Sequence, residues 1–110
     1  MTNKYEIHMD ICNDLNGLYQ RKNHDYGDSF GEVYAEFGLI STCMRLTDKL
    51  KRLKSFAKGA DMQVKDESIK DTLMDLANYS IMTLVEMEMA ADKEPLQHNM
   101  IDEHVIKPEE

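Results

Sequence analysis

Apolar residues recur at three- and four-residue steps along most of this chain, and nowhere do they alternate as in a strand. Ile7, Ile11, Leu15, Leu18 and Tyr19 form one stripe, with Asp10, Asn13, Asn16 and Gln20 opposite. They predict a first helix over about residues 3–22. The stretch 22-KNHDYGDSFG-31 has no hydrophobic period but is rich in Asn, Asp, Gly and Ser, which predicts a loop. Leu39, Cys43, Leu46, Leu50 and Leu53 mark a second helical region over about 29–58, with Gly38 as a point of interruption because a mid-helix glycine costs about 1 kcal/mol. Gly59 suits the C-terminus of that helix. A third helix is predicted from an Asp66 N-cap to about residue 92, and Pro95 opens a polar tail.

The expected fold is therefore all-α: a single helical domain over 1–92 and a tail over 93–110. An N-terminal helix accompanies a long antiparallel hairpin folded about position 62. Helix three carries apolar residues on two faces: Met82, Val85 and Met89 on one, Ile69, Leu73, Leu76, Leu84 and Met87 on the other. Such a helix needs neighbours on both sides. A four-helix-bundle-like core completed by oligomerisation, as a homodimer or a dimer of dimers, supplies them.

Composition narrows the function. The 110 residues are 42% hydrophobic and 31% charged, with nine methionines and no tryptophan, as suits one small helical core. A formal charge of −8 disfavours strong nucleic-acid binding or attraction to an anionic membrane. No signal peptide and no apolar run of membrane length is present, so a cytoplasmic protein is expected. Cys12 and Cys43 have no CxxC or metal-ligand spacing, and read as buried free thiols.

The chemistry that packing does not explain lies on helix three. Asp71 falls roughly 40° from Glu67 around the helix, and Asn78 roughly 20° from it. Asp71 and Asp75 repeat acid at i, i+4, where like charges repel. Acids on a stripe that continues into apolar residues need either a divalent cation, for which Mg²⁺ suits carboxylate oxygens, or basic partners. The latter are at hand: Arg45, Lys49, Lys51, Arg52, Lys54 and Lys58 make six of the thirteen basic residues. The hairpin brings Arg52 opposite Asp71 and Asp48 toward Asp75 and Asn78. Ion pairing and metal binding both remain open, as does a solvated basic face with a local Asp48–Arg52 pair.

Three blocks, 22-KNHDYGDSF-30, 45-RLTDKLKRL-53 and 66-DESIKDTLMDLANYSIMTL-84, carry a resemblance to the nucleotide modification associated domain 1 family, small proteins common in phages. That family in turn looks like a relative of MazG-type all-alpha nucleoside triphosphate pyrophosphohydrolases, whose motif is ExxE followed at a distance by ExxD. The resemblance implies Mg²⁺ held by Asp48, Glu67 and Asp71 as the catalytic and metal residues. It further implies hydrolysis of a nucleoside triphosphate to monophosphate and pyrophosphate, with Asn78 as the amide that follows the motif. Arg45 and Ser68 stand where two of the motif's acids would be, leaving the set two carboxylates short. In the first block, Lys22 is a candidate for phosphate, Tyr26 for stacking on a base, and Asp25 for polar contacts. Lys49 and Arg52 would neutralise phosphate charge. The alternatives are a non-catalytic nucleotide or cyclic-nucleotide binding module, and a plain helical scaffold in which the first block is only a turn.

Overall fold

The computed structural model describes residues 3–59 and 68–93. Four helices make up nearly all of them: α1 (Lys4–Tyr26), α2 (Ser29–Phe37), α3 (Leu39–Ala57) and α4 (Ile69–Lys93), with no strand among the described residues. The all-α expectation holds. No helix is long and apolar enough to cross a membrane among these residues.

Two element boundaries depart from expectation. Helix α1 continues through Lys22–Tyr26, so the expected loop shrinks to Gly27 and Asp28. Asn23, His24 and Asp25 are only mildly poor helix formers, and they lack a hydrophobic period because this last turn faces solvent and a cavity instead of a core. Gly27 stops the helix at φ 70° and ψ −166°. The long second helical region is two helices meeting at Gly38, whose φ of 72° and ψ of −155° lie in a region essentially confined to glycine. Ser41 seals the corner by donating its hydroxyl to the Gly38 carbonyl at 2.8 Å.

Helix α4 begins at Ile69, with Ser68 as its cap; Asp66 and Glu67 lie outside the described residues. The Asp71 backbone N–H donates to Ser68 Oγ at 3.1 Å, and the Ser68 backbone N–H donates to Asp71 Oδ2 at 3.2 Å. This reciprocal pair is a capping box with Asp in the acidic position.

Helices α3 and α4 pack as the expected antiparallel hairpin. Three contacts set its register: Lys49 with Asp75, Arg45 with Tyr79, and Thr42 with Thr83. The mid-point of each pair falls at position 62 or half a residue from it, as the hairpin reading required. The packing is unusually polar at its centre. Thr83 donates to the Tyr79 carbonyl at 2.7 Å, so the 2.8 Å contact between the two threonine hydroxyls has Thr42 as donor. Among the described residues, Ser41, Thr42, Thr72, Asn78 and Thr83 are buried, whereas only Leu15, Phe30 and Ala91 are buried apolar residues.

The apolar surface is correspondingly open. Ile69, Leu73 and Leu84 along one line of α4, and Ile81, Val85 and Met89 along the next, are all exposed. On α1, Leu15 is buried while Ile7 and Ile11 are exposed. Cys12 and Cys43 are free as expected, but neither is buried: Cys12 is half-buried and Cys43 faces outward.

Candidate functional site

The end of α1, the start of α2 and the middles of α3 and α4 enclose a cavity of about 130 Å³. Lys22, Asn23, Tyr26, Gly27, Ser29 and Phe30 come from the first corner, Arg45 from α3, and Asp75, Asn78, Tyr79 and Met82 from α4, with Tyr19 below. Helical spacing explains the convergence. Tyr19, Lys22 and Tyr26 sit three and four residues apart on α1, as do Asp75, Asn78, Tyr79 and Met82 on α4.

Asp75 is the electrostatic centre of the site. It is 15% exposed and accepts Lys49 Nζ at 2.9 Å and Lys22 Nζ at 3.5 Å. Lys49 is 19% exposed and Lys22 is 54% exposed, so the first pair is the shielded one and the second is open to water and to exchange. The aromatic wall is ordered too. Phe30 and Tyr79 stack with ring centroids 6.0 Å apart and planes 12° apart, and the Arg45 guanidinium rests against both. Tyr26, 73% exposed, stands at the mouth. Asn78 is buried and donates its amide to the Leu15 carbonyl at 3.1 Å, fastening α1 to α4 at the cavity floor.

The site residues read from the sequence thus separate into groups. Lys22, Tyr26 and Asn78 line this cavity, and Lys49 reaches its acid. Asp25 does not line it; its carboxylate meets His24 Nδ1 at 3.1 Å on the exposed side of α1. Arg52 lies over the Phe56 ring at 5.7 Å, further along α3. Asp48 borders a different groove, with Val33, Phe37, Ile40 and Met44. Asp71 borders another, with Asp14, Arg21 and Lys70. The Ser68 backbone N–H, followed by the Ser68 side chain, holds the Asp71 carboxyl below its usual range. Among the described residues no three His, Cys, Asp or Glu side chains stand together as a metal site, and Glu67 lies outside those residues.

Asp75, Arg45 and Tyr79 were not among the residues first singled out as the site. A signal for each was present: Asp75 continues the i, i+4 acid ladder from Asp71, Tyr79 lies one helical turn beyond it, and Arg45 falls opposite Tyr79 in the hairpin register.

A family model described as nucleotide modification associated domain 1 matches residues 22–87, more than half of the chain and every cavity residue except Tyr19. No curated protein and no solved structure matches the chain.

Proposed function

The chain belongs to the nucleotide modification associated domain 1 family, and on that premise we propose that its aromatic and cationic cavity binds a nucleotide. The observation that carries this reading is the pairing, in one cavity, of stacking rings with a solvent-exposed lysine. Tyr19 and Tyr26 offer faces for a base, and stacking of a base on an aromatic ring is worth about 1–3 kcal/mol. Lys22 supplies charge for phosphate. Because Lys49 also holds Asp75, and at the shorter distance, Lys22 can leave the carboxylate and turn to a ligand without stranding it. The protein would act in the cytoplasm, as a homodimer or dimer of dimers that covers the open apolar lines of α4.

Mg²⁺-dependent hydrolysis of a nucleoside triphosphate to monophosphate and pyrophosphate is the second reading. It is favoured by the ionised Asp71 carboxylate, which is one turn from Asp75 and close in sequence to Glu67. Asp48 and Asp71 border separate grooves, and so the geometry supports binding without turnover more strongly. Calorimetric titration of a nucleotide panel, followed by assay for pyrophosphate in the presence of Mg²⁺, separates the two. Binding with no pyrophosphate is the expected outcome. Pyrophosphate release that Asp71→Asn abolishes would make the chain a hydrolase, and binding to no nucleotide would reject both readings.

A further inference from the structure

From the geometry around Arg45 we infer that this residue is the phosphate anchor of the cavity, gripping a nucleotide phosphate directly with no metal ion between them; the inference rests on the nucleotide-binding reading above. Arg45 Cζ lies 5.3 Å from the Phe30 centroid and 5.4 Å from the Tyr79 centroid. The centroids are 6.0 Å apart, so a guanidinium threaded between the rings would stand about half that distance from each. It does not. It rests across the pair, and Arg45 lines the cavity together with both rings as well as the neighbouring groove that Asp48 borders.

That placement matters because of what it leaves free. The ring quadrupoles stabilise the positive charge without consuming N–H donors. A carboxylate partner would consume them, and among the described residues Arg45 has no hydrogen bond or ion pair. The carboxylate that lines the cavity, Asp75, is already held by Lys49 and Lys22. Arg45 therefore presents a planar fork of donors, oriented by packing, to an open space. Such a fork matches two oxygens of a phosphate in a bidentate grip that an ammonium group cannot reproduce. Charge points the same way: of the charged residues that line the cavity, Lys22 and Arg45 are basic and Asp75 is acidic, a formal surplus of one positive charge inside a chain whose total is −8. A cavity lined in this way attracts a phosphate by itself, and a divalent cation would be repelled by both basic groups.

The test is calorimetric titration with the common nucleoside 5′-monophosphates and triphosphates and the matched nucleosides, in excess EDTA and in Mg²⁺. For the wild-type chain, nucleotide affinity should be equal in the two buffers. Arg45→Gln should weaken nucleotide binding about ten- to a hundredfold, the loss of a charge-assisted bidentate contact, while nucleoside binding is unchanged. Arg45→Lys, which keeps the charge and loses the fork, should recover only part of the affinity. It also serves as the deciding variant if Arg45→Gln loses its helical circular dichroism. Wild-type affinity in both variants, or binding abolished by EDTA, overturns the anchor and leaves nucleotide binding standing. No nucleotide binding by the wild-type chain removes the anchor together with the reading beneath it.

Discussion

The α3–α4 interface and the α1–α4 interface are built on different terms. The first has a register fixed at three levels, by an ion pair (Lys49–Asp75), a cation over a ring (Arg45–Tyr79) and a buried hydroxyl pair (Thr42–Thr83). Each contact is directional, so a slip of one turn would break all three. Among the described residues, the second rests on one buried side-chain hydrogen bond, Asn78 to the Leu15 carbonyl, and one solvent-accessible ion pair, Lys22–Asp75. Around those two points, apolar residues of both helices remain in water. Ile11, Ile69 and Leu73 line an open groove between α1 and α4. The hairpin is self-sufficient in register, whereas α1 is fastened at the cavity and unsupported elsewhere. This places the cavity at the junction of the firm and the loose half.

The largest effect that sharpens this contrast concerns the open side. If a second copy covers α4, the protein in solution has a mass at least twice its 12.8 kDa. Leu73→Asp with Leu84→Asp would then reduce it to the monomer, because each buries a carboxylate in an apolar contact. Multi-angle light scattering at micromolar concentration reads this directly. A wild-type mass near that of one chain would show that the groove is left to another occupant.

A smaller effect probes the fastening itself. Asn78→Ala removes the only buried side-chain bond linking α1 to α4 among the described residues, which should cost about 1–2 kcal/mol. The loss should be local. Amide hydrogens of α1 should exchange faster, while those of α3 at Thr42 and Lys49 keep their protection. Uniform acceleration across all helices would mean that α1 and the hairpin form one cooperative unit, and the contrast drawn above would fail.

The two halves also differed in how legible they were in the sequence. The hairpin was readable because burial imposes a period, and the mid-point at position 62 then followed from two stripes and a short connection. The break at Gly38 was readable as well, since a glycine inside a helical pattern is a local signal. The extension of α1 through Tyr26 was not, because residues 22–26 pack on no core and so carry no period. The acids were the hardest case. Asp71 and Asp75 look equivalent on a helical wheel, yet one closes a capping box with Ser68 and the other receives two lysines. Only the position where α4 begins separates them: with Ser68 as the cap, Asp71 is committed to the helix end and Asp75 falls opposite Lys49. Arg45 stands where a motif would have an acid, and its contact with Phe30 and Tyr79 became visible only once the three were placed together.

The smallest effect concerns that capping box, where the firm half begins. Ser68 holds the Asp71 carboxyl below its usual value near 3.8, first through its backbone N–H. The folded chain therefore binds this proton less readily than the unfolded chain does. Stability from the ionised carboxylate is fully present above the unfolded value, and it is lost as the pH falls through the lowered folded value. Because Asp71 is exposed, the contribution is small and screened by salt. Asp71→Asn keeps an acceptor for the Ser68 N–H but removes the charge and its favourable place at the helix N-terminus. Melting temperatures of the two proteins should differ by a few degrees at about pH 6 and converge as the pH drops below about 3.8. A gap that stays constant across that range would mean the box is held by geometry alone, with the charge of Asp71 free for other use.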